Sequence, residues 1–257
     1  MNEITCYNSD IIYHYHHRFN KNKHGFTLAE VLITLGIIGV VAALTMPGMI
    51  INHQKKVVAE SVKKAYSELN QVLSMAQNDH GMISDWKYCK ADELDKWVQT
   101  YIIPYINVVD HKACTTNERC FGLSLPFPLK YKKPGSFNST VGQYVVTKTG
   151  IPMAYAFFRY GGTYENVTRV RVYVRNPKPY AFIGKDVFTF VLDKSKQNPM
   201  FEPYGMGTSR EDLLADRKMW AGACNPNGSG SGYWSPGDAC TAVIMLDGWK
   251  IKEDYPW

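Results

Sequence analysis

Catalytic signatures are missing from this chain. Gly228-Ser229-Gly230-Ser231-Gly232 has the outer glycines of a nucleophile elbow, but glycine stands where the elbow needs its serine. Gly205-Met206-Gly207 lacks the third glycine and the following helix of a dinucleotide fingerprint. The six cysteines, at positions 6, 89, 114, 120, 224 and 240, include no Cys-x-x-Cys pair. No histidine stands at zinc-finger distance from them, so a structural zinc site is excluded. Internal repeats are absent, and so is any strong excess of one charge. The 29 basic and 23 acidic residues leave +6, which an ordinary basic surface accounts for. Neither an enzyme nor a cofactor is expected.

What is present is a folded composition with one anomalous segment. Hydrophobic residues make up 45% and charged residues 20% of 257, enough for one medium domain plus an extension. The 17 Tyr, 11 Phe and 6 Trp suit pleated, half-buried positions and favour a β-rich part. From Phe26 to Ile51 the chain is apolar with a single charge, Glu30, and it is long enough to cross a bilayer as a helix. Arg18, Lys21 and Lys23 precede it. A secretory signal would have a shorter core and a small-residue cleavage site; here Pro47-Gly48 and then a charged helix follow, so the anchor is expected to be kept.

Between Gln54 and His80, Val58, Val62, Ala65, Leu69, Val72 and Ala76 recur every three or four residues, the stripe of a helix lying on its own core. No loop-forming cluster separates this stripe from the apolar run. Residues 27–80 therefore read as one helix, kinked at Pro47. A short helix is expected around Asp92 to Ile103, stopping before Pro104. Strands are expected at Tyr144–Thr147, Met153–Phe158, Thr168–Val174, Asp186–Leu192 and Ala242–Met245. The fold class is α+β: a long N-terminal helix, then an antiparallel sheet with irregular insertions.

The segment Lys23-His24-Gly25-Phe26-Thr27-Leu28-Ala29-Glu30 resembles the cleavage and methylation motif of type IV prepilins and type II secretion pseudopilins. The apolar sequence that follows is similar to that family too, as is Pro47, twenty-one residues after Phe26. The resemblance implies cleavage between Gly25 and Phe26 by a prepilin peptidase and N-methylation of Phe26. It implies assembly through Glu30 with other pilin or pseudopilin subunits on an inner-membrane platform. The domains it implies are a leader (1–25), a transmembrane and assembly half-helix (26–51) and a pilin-like globular α+β domain (52–257). The location is the bacterial inner membrane, single-pass, with the globular domain outside the cytoplasm.

The residues give Glu30 a physical reading of its own. An acid just inside hydrocarbon costs about 2.5–3.5 kcal/mol, less towards the interface, unless a cation meets it. No Lys, Arg or His follows until His53, and a helix cannot fold back to offer its own amino terminus. A neighbouring subunit's Phe26 amine would serve. The alternative is an ordinary single-pass anchor.

Cys6 and the clustered histidines of Tyr13–His17 would leave with the leader. Of the other cysteines, Cys114 and Cys120 flank a short polar loop, and Cys224 and Cys240 would close a loop worth about 3 kcal/mol of chain entropy. Cys89 is left over and could displace Cys114 or Cys120. A C-terminal disulfide loop also resembles many type IV pilins. Residues 175–180, where major pseudopilins hold calcium, offer no carboxylate before Asp186, so no metal is expected. The second reading is a minor pilin acting in adhesion or DNA uptake; Lys130-Tyr131-Lys132-Lys133 has the lysines and ring that single-stranded nucleic acid binds, but a lysine run in a loop is more often simply solvated and does not support it.

Overall fold

The computed structural model describes residues 25–87, 94–114, 142–147, 153–159, 166–174, 182–215, 222–225, 234 and 236–257. The chain divides into two units, Met1–Met49 and Ile50–Trp257. Helix α1, Leu28–His80, supplies the described part of the first unit after Thr27, opens the second, and runs without a break through Pro47.

In the first unit no side chain of α1 is buried. Leu32, Ile33, Leu35, Ile37, Ile38, Val40 and Leu44 each stay more than half exposed. A helical stretch apolar all round and buried by none of the described residues is built for a non-aqueous surrounding or for other helices.

In the second unit α1 buries Val58, Ala59, Val62, Ala65, Leu69, Val72, Leu73 and Ala76. The stripe read from sequence is the core stripe. It faces a six-stranded antiparallel meander: β1 (Val108–Cys114), β2 (Gly142–Thr147), β3 (Met153–Arg159), β4 (Val167–Tyr173), β5 (Val187–Asp193) and β6 (Phe201–Pro203), each strand paired to the next. The register sets Tyr155 opposite Val172, Phe157 opposite Val170, and Val170 and Val172 opposite Phe190 and Phe188. Because side chains alternate along strands, these six share one face, and that face carries the core.

Polar contacts fix the helix on the sheet. Tyr155 donates its hydroxyl to Glu68 at 2.6 Å. Burial, with the Glu68 charge behind it, pushes that phenol well above its ordinary value. Asn70 both accepts from the Phe201 N–H (2.9 Å) and donates to the Phe201 carbonyl (3.0 Å), acting as a strand partner for β6. Helix α2 (Leu94–Tyr101) packs Leu94, Trp97 and Val98 inward, and Trp86 stacks on Tyr101 at 4.3 Å.

One expected element is of the wrong kind. Ala242–Met245 lies within a helix, Cys240–Leu246, not a strand. Including the six-residue helix α3 (Arg210–Ala215), this last helix is α4. Every residue from Cys240 to Ile244 is buried, so no periodicity distinguished helix from strand, and Thr241, Val243 and Ile244 biased the reading towards β.

Candidate functional site

Among the described residues of the first unit, the one charged side chain, Glu30, lies at the start of α1. Gly25, Phe26 and Thr27 lie outside the helix, and Phe26 is 86% exposed. Thr27 donates both its backbone N–H and its hydroxyl to Glu30 Oε2, at 2.8 and 2.9 Å. Its Oγ1 in turn accepts the Glu30 N–H at 3.2 Å. This is a reciprocal capping box, which satisfies donors that a helix start leaves without partners. It fixes the first helical residue at Leu28 and leaves the Gly25–Phe26 bond in non-helical chain. The Thr-x-x-Glu spacing was visible in the sequence, but its capping role was overshadowed by the charge of Glu30.

Among the second unit's cysteines, Cys224 and Cys240 are joined by a disulfide, Cα–Cα 4.5 Å. Three backbone bonds hold its two arms: Cys224 N–H to Leu213 O, Gly237 N–H to Ala223 O and Ala239 N–H to Gly222 O. Gly184, at φ +85°, passes so close that a Cβ there would stand 2.8 Å from Cys240 Sγ. Cys114 ends β1. Cys6, Cys89, Cys120, the leader histidines, residues 175–180 and Lys130–Lys133 lie outside the described residues. Among the described residues, no group of three or more His, Cys, Asp and Glu is placed to hold a metal ion.

A buried polar cluster was missed in the sequence. On β4, Arg169 and Arg171 point away from the core face, in the alternation that usually marks a wet surface. Both are fully buried. Arg171 reaches both carboxylate oxygens of Asp238, at 3.0 and 3.1 Å, and Thr189 donates its hydroxyl to Asp238 at 2.6 Å. The Arg169 guanidinium lies 5.0 Å from the centre of the Trp234 ring, which stacks on Tyr204 at 3.8 Å. Burial, then the neighbouring Arg171 charge, pushes Arg169 below its ordinary value, against the pull of Asp238. The C-terminal segment thus covers the second face of the sheet at β4 and β5. No catalytic arrangement results; the cluster locks a cover onto the sheet.

Residues 48–257 match the model of a family described as a family of unknown function, DUF6613. Residues 20–46 match the prokaryotic N-terminal methylation motif. That motif supports the type IV pilin-like family, and the long helix followed by an antiparallel sheet is the α+β, pilin-like order. No curated protein and no solved structure matches the chain.

Proposed function

We propose, starting from the fact that the chain belongs to the DUF6613 family of unknown function, that it is a structural subunit of a type IV pilus-like or type II secretion pseudopilus filament. The observation that carries the reading is the methylation motif at residues 20–46, set against a Leu28–Met49 stretch whose apolar side chains no described residue buries. A prepilin peptidase would cut after Gly25 and leave Phe26 as the N-methylated first residue. The Leu28–Met49 stretch would then anchor the subunit in the inner membrane and, on assembly, exchange lipid for the helices of other subunits. Glu30 would meet a neighbour's new amino terminus. Pro47 would supply a point where the helix can bend, because it removes one backbone hydrogen bond.

Co-expression with a prepilin peptidase tests this directly. Mass spectrometry should find a mature chain beginning at Phe26, and Gly25→Leu should block the cut. A mature chain beginning after Met46 would remove the assembly helix and overturn the reading.

A further inference from the structure

The second unit's stretch of α1 has a second face. At 3.6 residues per turn, Lys56, Lys63, Lys64 and Ser67 fall opposite the buried stripe, and all four are exposed. Glu60 is the one acid among them, and Lys55, half-buried, lies at the edge. Among the described residues none of these lysines is in an ion pair.

Two further observations bear on what this face can meet. Lys55 and Lys56 follow Ile51, the last residue of the apolar run, by only four and five positions. Basic residues beside a span are also normally kept on the side that is not exported. Here four lysines (55, 56, 63 and 64) follow the span, against three basic residues (Arg18, Lys21, Lys23) before it. If the second unit is exported, those lysines run against the usual bias and stand beside a membrane whose anionic headgroups would offer them a counter-charge.

We propose that the face carrying Lys56, Lys63 and Lys64 docks on anionic phospholipid headgroups of the membrane in which the subunit is anchored, before the subunit enters a filament. The inference rests on the anchored-subunit reading above. Surface lysines gain free energy near an anionic bilayer, and the gain decays within a Debye length. Docking of this kind needs α1 to bend near Pro47, since along an unbent helix Lys63 would stand about 18 Å past Ile51, beyond a Debye length, and assembly would have to release it.

The test uses the full chain in nanodiscs of phosphatidylcholine alone or with added phosphatidylglycerol. A genetically encoded fluorophore at Ser67 reports access of acrylamide, a neutral quencher indifferent to surface potential. Quenching should fall in the anionic discs only, and should recover in 1 M NaCl, where the Debye length is about 3 Å. Each Lys→Gln replacement at 56, 63 or 64 should lower the docked-to-free ratio roughly five-fold. The triple variant should quench alike in both lipids, with unchanged far-UV circular dichroism.

Equal quenching of the unmodified lysine face in both lipids, in discs the chain has entered, overturns the docking alone. Protection in neutral discs that grows with the number of subunits per disc also overturns it, and assigns the face to a second copy. A chain that fails to enter either disc, judged by flotation, overturns the anchor reading beneath it as well.

Discussion

Arg210 donates from Nε to Asp247 at 2.7 Å, while its two terminal nitrogens take the two oxygens of Asp254, each at 2.7 Å. Lys252 reaches the same Asp247 oxygen at 2.6 Å. The Asp247 side chain is only 1% exposed, and that burial pushes its carboxyl up. The hydrogen bonds from Arg210 and Lys252 outweigh it and hold the group below its ordinary 3.8. A carboxyl depressed on folding stabilises the fold above its ordinary pKa, and the contribution is lost as pH falls through the lower folded value. Arg210→Gln removes the larger opposing cause and leaves burial opposed by Lys252 alone. The variant should therefore be less stable than the natural chain at neutral pH, and that deficit should shrink as pH falls through about 4 and below, where the natural chain loses the contribution and the variant has little of it left to lose. Urea midpoints across that range measure it; parallel pH profiles for the two chains would show that Arg210 does not set the Asp247 carboxyl.

Among the elements, the last helix depends most on what surrounds it. Helix α4 has seven residues, too short to persist alone. Its Cys240 is bonded to Cys224, and Thr241 accepts the Thr189 N–H at 2.9 Å, standing in for a strand partner beyond the end of β6. Replacing Cys224 and Cys240 together by serine frees a loop of sequence separation 16. The cost should be about 3 kcal/mol, seen as a lower urea midpoint in the variant and in reductant-treated natural chain. Equal midpoints with and without reductant would show that the backbone bonds suffice. The same dependence explains what could be read from sequence. Helix α1 was legible at both ends, since its period persists to His80 and Gly81 follows at φ +77°. The strands β2 to β5 were legible from their β-branched and aromatic runs. Strand β1 was not, because Asp110, His111 and Lys112 interrupt its apolar pattern and a bulge shifts its register. Strand β6 has three residues. Helix α3 was not read at all; in the structure Ser209 caps it by accepting the Asp212 N–H at 3.2 Å, a signal too local to define a helix from sequence.

In the proposed subunit, Glu30 can serve its own helix or a neighbour. Its carboxylate is engaged within its own chain by Thr27, so a helix cap alone accounts for its hydrogen bonds. Charge pairing with a neighbour's amino terminus is the role proposed for it, and the two separate by substitution. Glutamine keeps the reciprocal cap, since its amide oxygen accepts from Thr27 as the carboxylate does, but it carries no charge. Alanine removes both. Cleavage after Gly25 and insertion should survive in both variants, and insertion should improve, because an acid within hydrocarbon costs about 2.5–3.5 kcal/mol. If the charge serves assembly, Glu30→Gln should fail to form filaments nearly as fully as Glu30→Ala. A neighbour's buried ammonium left without its counter-charge costs roughly 3–5 kcal/mol, more than the 0.5–2 kcal/mol of a lost cap. Sheared-filament yield at matched membrane levels measures this. A glutamine variant that assembles like the natural chain, beside an alanine variant that does not, would reduce Glu30 to the residue that starts its helix.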